Sequence, residues 1–293
     1  MRVTTLGEQG PNLPFGFEVE GKLVKDLSFR RYGGRVDRAL GGWVSGPGQE
    51  FQGRELMNLK VGRLTGLLTK QMGPHELLLA RNEDGIEDVS EETLLILHQA
   101  HMADVLYAHV YARRQTLGNE YKMPVLCPHC KFDGTGDNAP VFLLDSLEVH
   151  CVDSPEELYC WFEIEDPFPL RGGGECHSVQ LKPLPWRMMK DPSMSISAVS
   201  GTFGLYAAEH SIVAVNGDPK PYRITSSELD EIGKRDLIRL ERAVGQWRGI
   251  NPQLKVDCPG QTEDGKTCGK PLFDLLDWSV ENFFGDSLVT SDI

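Results

Sequence analysis

A chain of 293 residues, 40% of them hydrophobic, can bury a substantial core as one large domain or two medium ones. Its 43 acidic and 30 basic residues leave a formal charge of −13, which argues against a nucleic-acid binder, because phosphate neutralisation needs a Lys/Arg excess. The start "MRVTTLGEQGPNLPFG" is polar and argues against a secretory leader, and no apolar run approaches the roughly 20 residues needed to span a bilayer, so no membrane insertion is expected.

Residues 13–34, "LPFGFEVEGKLVKDLSFRRYGG", read as a β-hairpin. Val19 and Leu23 flank a Glu20-Gly21 turn, and Leu23, Leu27 and Phe29 are apolar positions in the second strand. A Gly-rich loop leads to residues 53–72, where Leu56, Leu59, Val61, Leu64 and Leu67-Leu68 recur at helical spacing. Residues 73–89 read as a connector rich in Gly, Asn and Asp. Ser90, followed by Glu91-Glu92, suits a helix start, since acids in the first turn complement the helix dipole. The stripe Leu95, Met102, Leu106, Val110 and the stop at Gly118 predict one helix over 90–117, the longest in the chain.

The segment "VLCPHC" then carries Cys127 and Cys130. A β-rich middle follows, with extended runs in "VFLLDSLEVHCV", "ELYCWFEIEDPFPL" and "HSVQLKPLPWRMM". Asn216-Gly217 is a tight-turn signal between extended segments, and Thr225-x-x-Glu228 is a capping-box pattern. The helix after it shows Leu229, Ile232, Leu240, Ala243, Val244 and Trp247 on one side and ends near Gly249. Next comes "VDCPGQTEDGKTCGKP", with Cys258 and Cys268, and then the tail "PLFDLLDWSVENFFGDSLVTSDI".

The two halves echo each other. Gly118 precedes Cys127-Pro128 by nine residues, and Gly249 precedes Cys258-Pro259 by nine. Each half opens with an extended pair, although matching Asp104 to Asp236 on the helices needs a one-residue gap. The expected fold class is α+β, with two pseudo-repeated units of hairpin or small sheet, long helix and Cys knuckle. The expected divisions are 1–130 (hairpin, two helices, first knuckle), 131–225 (β-rich middle) and 226–293 (long helix, second knuckle, aromatic tail).

Seven cysteines is an odd number, and the Cys-Pro pairs look like metal knuckles rather than a disulfide framework, which fits a reducing cytoplasm. Structural zinc takes about four ligands, with sulfur about 2.3 Å from the ion. Cys127 and Cys130 fit a tight two-sulfur turn. Cys258 and Cys268 are separated by the polar segment "PGQTEDGKT", which is expected to loop out. Cys127, Cys130, Cys258 and Cys268 are therefore the expected metal ligands, Zn²⁺ the expected cofactor and a closed structural site the expected role. His129 is expected to be a spectator.

Cys151, Cys160 and Cys176 lie in strand-like segments without knuckle spacing and read as small hydrophobes. His98 and His109 share a helix face but would stand roughly 16 Å apart at 1.5 Å per residue. His98, His101 and His75 would have to converge to make an open metal site. The clusters "GGW", "GTGD" and "RGGGEC" match no phosphate-binding loop, and no nucleophile elbow or His-Glu-x-x-His helix occurs. No catalytic residues are expected, and the chain is read as not an enzyme. The tail residues Leu272, Phe273, Leu275, Leu276, Trp278, Phe283 and Phe284 either pack on the protein's own core or dock into a neighbouring subunit.

The hairpin sequence of 13–34, the helix "KVGRLTGLLTKQMG", the segment "HMADVLYAHVYARRQTLG" and "CPHC" together resemble the phage baseplate and tail-assembly proteins of the T-even type, relatives of which occur in contractile injection systems. The likeness covers mainly 13–130, with the knuckle, helix and aromatic tail of 226–284 continuing it. It implies a non-enzymatic structural or assembly component of a contractile tail or injection-system baseplate. The implied partners are other baseplate, hub or tail-tube proteins, with the tail as a docking element. It also implies synthesis in host or bacterial cytoplasm and assembly into a virion tail or injection particle. Cys127, Cys130, Cys258 and Cys268 match the family's paired knuckles, and the nine-residue gap before Cys268 departs from a compact second knuckle. The competing reading is a zinc-ribbon nucleic-acid or transcription accessory protein. That would want basic and aromatic residues around the knuckles, where "KFDGTGD" and "GQTEDGK" are mixed or acidic.

Overall fold

The computed structural model describes residues 1–34, 36, 38–39, 54–81, 85–190 and 203–276. The chain starts with β1 (Arg2–Thr5) and a one-turn helix α1 (Leu6–Gln9), then forms the hairpin β2 (Asn12–Val19) and β3 (Lys22–Phe29). Glu20 and Gly21 both take left-handed backbone angles (φ 49° and 73°), as a two-residue hairpin turn requires, and Val19 faces Lys22 across it. Helix α2 (Arg54–Leu68) ends four residues earlier than its sequence pattern suggests, and Thr69–Met72 form strand β4 instead. The apolar spacing continues through Leu67 and Leu68, but Leu68 already gives its carbonyl to the Arg30 amide at 2.6 Å, which starts the pairing of β4 with β3.

The expected connector 73–89 holds three short strands: β5 (His75–Glu76), which pairs with β4, and β6 (Leu79–Arg81) with β7 (Glu87–Val89), which pair with each other. Ser90 caps α3 (Glu91–Gln99) by accepting the Thr93 amide. The single helix expected over 90–117 is two, because α4 (Met102–Leu117) starts afresh after an extended Ala100-His101 step. Neighbouring chain replaces the lost helical bonds: Trp186 N donates to Ala100 O and Met102 N to Leu184 O, both at 2.8 Å. The break rotates the stripe, so Leu95 is 60% exposed while Leu97 and Val110 are buried. Gly118 ends α4 at φ 91°.

Then come β8 (Glu120–Lys122), β9 (Val125–Leu126), β10 (Asp133–Gly134) and β11 (Val141–Leu143), with β8 paired to β11 and β9 to β10. Strand β12 (Glu148–Cys151) returns to pair with β1. The middle region continues with β13 (Cys160–Pro169), β14 (Glu175–Leu181), α5 (Phe203–Ser211) and β15 (Ile212–Val215), the three strands forming one antiparallel sheet. Asn216-Gly217 makes the expected turn (φ 53° and 73°), although only a bridge from Val215 to Asp218 follows it rather than a strand. The helix expected after Thr225 is also divided, into α6 (Ser226–Leu229) and α7 (Lys234–Val244). Glu228 folds back on the cap and accepts from the Thr225 amide and hydroxyl at 2.8 and 2.6 Å. Strands β16 (Gln253–Asp257) and β17 (Pro271–Leu275) form the last hairpin.

The fold is thus mixed α+β, with small antiparallel sheets and seven α-helices among the described residues. One core gathers Leu6, Leu64, Tyr107, Val149, Leu254 and Leu276, and Cys127 and Cys258 belong to it. A second gathers Phe15, Phe168, Val179, Ile212, Leu240 and Trp247. No helix among the described residues is long and apolar enough to cross a membrane. The aromatic residues Trp278, Phe283 and Phe284 and the "GGW" segment lie outside the described residues.

Two acids tie helices to strands. Asp104, third residue of α4, is fully buried and accepts the amides of Phe15 and Gly16, each at 2.9 Å. Asp236, third residue of α7, is also buried and accepts the amides of Glu165 and Asp166 at 3.2 and 3.0 Å. Each carboxylate satisfies backbone donors that would otherwise be buried without a partner.

Candidate metal centre

Each cysteine pair sits at the tip of a β-ribbon. In the first, Cys127 N donates to Phe132 O at 2.9 Å and Lys131 N to Cys127 O at 3.1 Å, closing a turn from Cys127 to Lys131. In the second, Cys258 N donates to Lys270 O at 2.9 Å, Gly269 N to Cys258 O at 3.1 Å and Cys268 N to Gly260 O at 2.7 Å. The intervening segment folds into a small hairpin of its own, with Gln261 bridging Thr267 and Thr262 N bonded to Lys266 O at 2.8 Å. The insertion therefore leaves Cys258 and Cys268 side by side, as the looping-out expectation requires. The residue after the second cysteine is left-handed in both ribbons, Lys131 at φ 61° and Gly269 at φ 59°.

The two tips meet. Cys127 Sγ lies 3.9 Å from Cys268 Sγ, and Cys130 Sγ lies 3.5 Å from Cys258 Sγ. All four sulfurs fall within 4.8 Å of one another. A tetrahedral thiolate site with 2.3 Å bonds has sulfur–sulfur edges of about 3.8 Å, so the arrangement fits a single ion. Cys127 and Cys258 are buried and Cys130 and Cys268 half-buried. His129 is exposed, which suits a spectator.

Electrostatics explains why four thiols in this space call for a cation. The Cys130 and His129 amides point at the Cys127 sulfur and, against the effect of burial, hold its thiol down at about 6. Burial and the neighbouring sulfurs push Cys258 up to about 12. Without a counter-charge the thiolates repel one another in a partly dry site, and a dication reverses that by making the ionised form the stable one.

The structure separates the other candidates. Cys151 donates to Gln9 Oε1 at 3.3 Å and Cys176 to Ser178 O at 3.5 Å, and burial pushes both thiols up to about 11, as for small apolar residues. Cys160 accepts from Gln246 Nε2 at 3.4 Å. His101 packs edge-on against Phe15 and is held neutral by burial, its pKa lowered to about 4. His75 stacks edge-on against Phe17 instead, and His109 Nδ1 is 3.3 Å from Thr65 Oγ1. Among the described residues, the four cysteines are the group of three or more His, Cys, Asp or Glu side chains close enough to share an ion.

One contributor escaped the sequence reading. Gly260 lies against the first ribbon, beside Cys130 Sγ and Phe132. Its signal was its place in "CPG", directly after the Cys-Pro step, where a residue with a side chain would press on the opposite ribbon.

Comparison with protein-family models, with curated proteins and with solved structures gives no match to this chain.

Proposed function

We propose that this protein is a non-enzymatic structural or assembly component of a contractile tail or injection-system baseplate, an adaptor made rigid by one structural zinc ion. The observation that carries the reading is that two cysteine ribbons, 128 residues apart from Cys130 to Cys258, bring four sulfurs together. Four thiolates complete a tetrahedral shell and leave no position for a catalytic water. A closed site of this kind fastens rather than reacts. The assignment to a contractile particle rests on the resemblance of the hairpin, helix and "CPHC" segments, and the partners it suggests are baseplate, hub or tail-tube proteins.

A second part of the proposal is that the chain consists of two copies of one unit. Its support is a set of matched hydrogen-bond registers. Leu27, Ser28 and Phe29 face Met72, Gln71 and Thr69, while Val179, Gln180 and Leu181 face Val215, Ala214 and Ile212. Each ladder skips one residue at the same step. In each, a helix runs into the third strand without a loop: Arg30 N bonds Leu68 O at 2.6 Å and Lys182 N bonds Ser211 O at 2.9 Å. The bond from Gly73 N to Asp26 O has its counterpart in Asn216 N to Ser178 O, at 2.7 and 2.8 Å. Asp104 and Asp236 hold the first strands alike. Pro14 and Pro167 lack amide protons at different steps, which accounts for the one-residue offset between the amides each acid takes. Exchanging Cys127 with Cys258 and Cys130 with Cys268 turns one short sulfur contact into the other, as a local two-fold through the ion would require.

The test has two arms. Elemental analysis of the purified chain should give one zinc per molecule, and the protein should copurify with tail components and be seen in the assembled particle by electron microscopy. Absence of metal from protein prepared without chelator would sink the zinc adaptor. Retention on DNA at moderate salt would favour the zinc-ribbon nucleic-acid reading instead.

A further inference from the structure

Two short sulfur contacts run from one ribbon to the other: Cys130 Sγ to Cys258 Sγ at 3.5 Å and Cys127 Sγ to Cys268 Sγ at 3.9 Å. Cys127 and Cys258 are buried, and Cys130 and Cys268 are half-buried. Each contact therefore joins a cysteine that solvent reaches to one that it does not. A thiolate is the form that oxidants attack, and access decides which thiolate they attack first.

We infer that peroxide, a two-electron oxidant, converts the clasp into two disulfides across the ribbons, Cys130–Cys258 and Cys127–Cys268, and releases the ion. The inference rests on the zinc clasp proposed above and not on its assignment to a contractile particle. The ribbons then stay joined in both redox states. An ion holds them where thiols are kept reduced, and sulfur–sulfur bonds hold them where disulfides persist.

The chemistry balances. The Cys130 thiolate attacks one oxygen of the peroxide, the O–O bond breaks and hydroxide leaves, which makes Cys130 a sulfenic acid. The Cys258 thiolate then attacks the Cys130 sulfur, the S–O bond breaks and a second hydroxide leaves with the disulfide formed. The two thiolates have supplied the two electrons that the peroxide accepts. Cys268 and Cys127 repeat the sequence with a second peroxide. Zinc, left without its thiolate ligands, departs.

Four cysteines can pair in three ways. Joining Cys130 to Cys268 would use both accessible cysteines on one bond and leave two buried ones with no activated partner. Joining cysteines within each ribbon also matches accessible with buried, so proximity decides between that pairing and the one across the ribbons. Cys258 already stands within the near-attack distance of about 3–3.5 Å from Cys130. Disulfide sulfurs lie about 2.0 Å apart, so the two contacts close by about 1.5 and 1.9 Å, a shift divided between two side chains in each pair. Gly260 sets only backbone against the Cys130 sulfur, so no side chain has to leave that gap.

The experiment adds hydrogen peroxide stepwise to the reduced, zinc-loaded full chain beside a chromophoric zinc indicator. Free thiols are then alkylated, and an unreduced digest is mapped by mass spectrometry. The expected result is loss of all bound zinc at about two peroxides per chain. Peptides should be linked Cys130 to Cys258 and Cys127 to Cys268, with Cys151, Cys160 and Cys176 alkylated. Zinc retained under excess peroxide overturns the inference. So do links within each ribbon, or four oxidised cysteines with no link at all. A chain that holds no zinc when purified without chelator fails the clasp reading itself. The same mapping on that metal-free chain still decides the pairing: links across the ribbons support it, and links within each ribbon overturn it.

Discussion

Gly260 presses its backbone against Cys130 across the two ribbons: a methyl group built on its α-carbon would lie 2.8 Å from the Cys130 sulfur and 2.5 Å from Phe132 Cβ. Neither neighbour is the free end of a flexible chain. One is a proposed metal ligand, and the other is held where its residue bonds Cys127. Gly260→Ala should therefore displace a ligand without removing one. The expected result is a folded protein whose zinc affinity falls about tenfold or more, the usual scale for disturbed outer-shell contacts. Competition against a chromophoric chelator measures it. Unaltered affinity would mean the ribbons can part at no cost, contrary to a rigid clasp.

Removing the ion should loosen the two ribbons before the rest. Structural zinc contributes about 10–16 kcal/mol to folding in small modules that lack another core. Here two buried clusters share the task, so chelation under reducing conditions should lower the melting temperature and raise exchange at 120–134 and 253–275, with helical signal largely kept. Cys130→Ser should do the same, whereas Cys151→Ser, whose sulfur faces Gln9, should leave zinc content unchanged. Equal loss of zinc in both variants would contradict the ligand assignment.

Deleting the acid that holds a strand should be costly. Asp104→Ala leaves the Phe15 and Gly16 amides buried without an acceptor, at about 1–3 kcal/mol for each group. Asp236→Ala should cost less, because the amides it serves are only partly buried. Urea midpoints give both values. A change in Asp104→Ala smaller than about 0.5 kcal/mol, the level of an ordinary surface substitution, would show that water or a rearranged backbone takes the carboxylate's place.

Two buried acids should bend the pH dependence of stability in opposite directions. Burial raises the Asp104 carboxyl to about 7, from 3.8, against the pull of the Phe15 and Gly16 amides. The folded state then holds a proton the unfolded chain has released, so this group's contribution is full below about 4 and is lost as the pH rises through 7. Burial also acts to raise Glu228, but the Arg171 amide, the Thr225 groups and the Tyr222 hydroxyl outweigh it and hold the carboxyl near 2. Its contribution is present above 4.5 and is lost as the pH falls toward 2. Denaturant titrations from pH 2 to 8 should show both slopes in the natural protein, the first lost in Asp104→Asn and the second in Glu228→Gln. An Asp104→Asn curve that keeps its fall between pH 4 and 7 would rule out Asp104 as the source.

Signals carried by a few adjacent residues were readable from sequence. The Glu20-Gly21 and Asn216-Gly217 turns need left-handed angles, and the Ser90 cap and Cys-Pro steps have local chemistry. The cysteine cluster was legible because ligand type and spacing survive 130 residues of intervening chain. What escaped was set by distant partners. No Pro or Gly marks the break at Ala100-His101, which exists because residues 184–186 supply the hydrogen bonds. The strands β4 to β7 are too short to show alternation, and β4 follows a helix with no turn signal between them. Asp104 and Asp236 stand out in the sequence only as a matched pair on the two expected helices, since nothing local reveals that each reaches a strand some 70 to 90 residues earlier in the chain.

The placement of the sulfurs also fixes an order of events in synthesis. A ribosome that has released Cys127 and Cys130 still has 138 residues to go before Cys268 emerges, so for that interval the first ribbon offers only half a coordination shell. An ion bound there would be held by two sulfurs and would exchange readily with other thiols. Tight capture would begin only when Cys258 and Cys268 have also left the tunnel. Bound metal would then mark chains made at least as far as Cys268, and one terminated before that residue would be distinguishable by its failure to retain it.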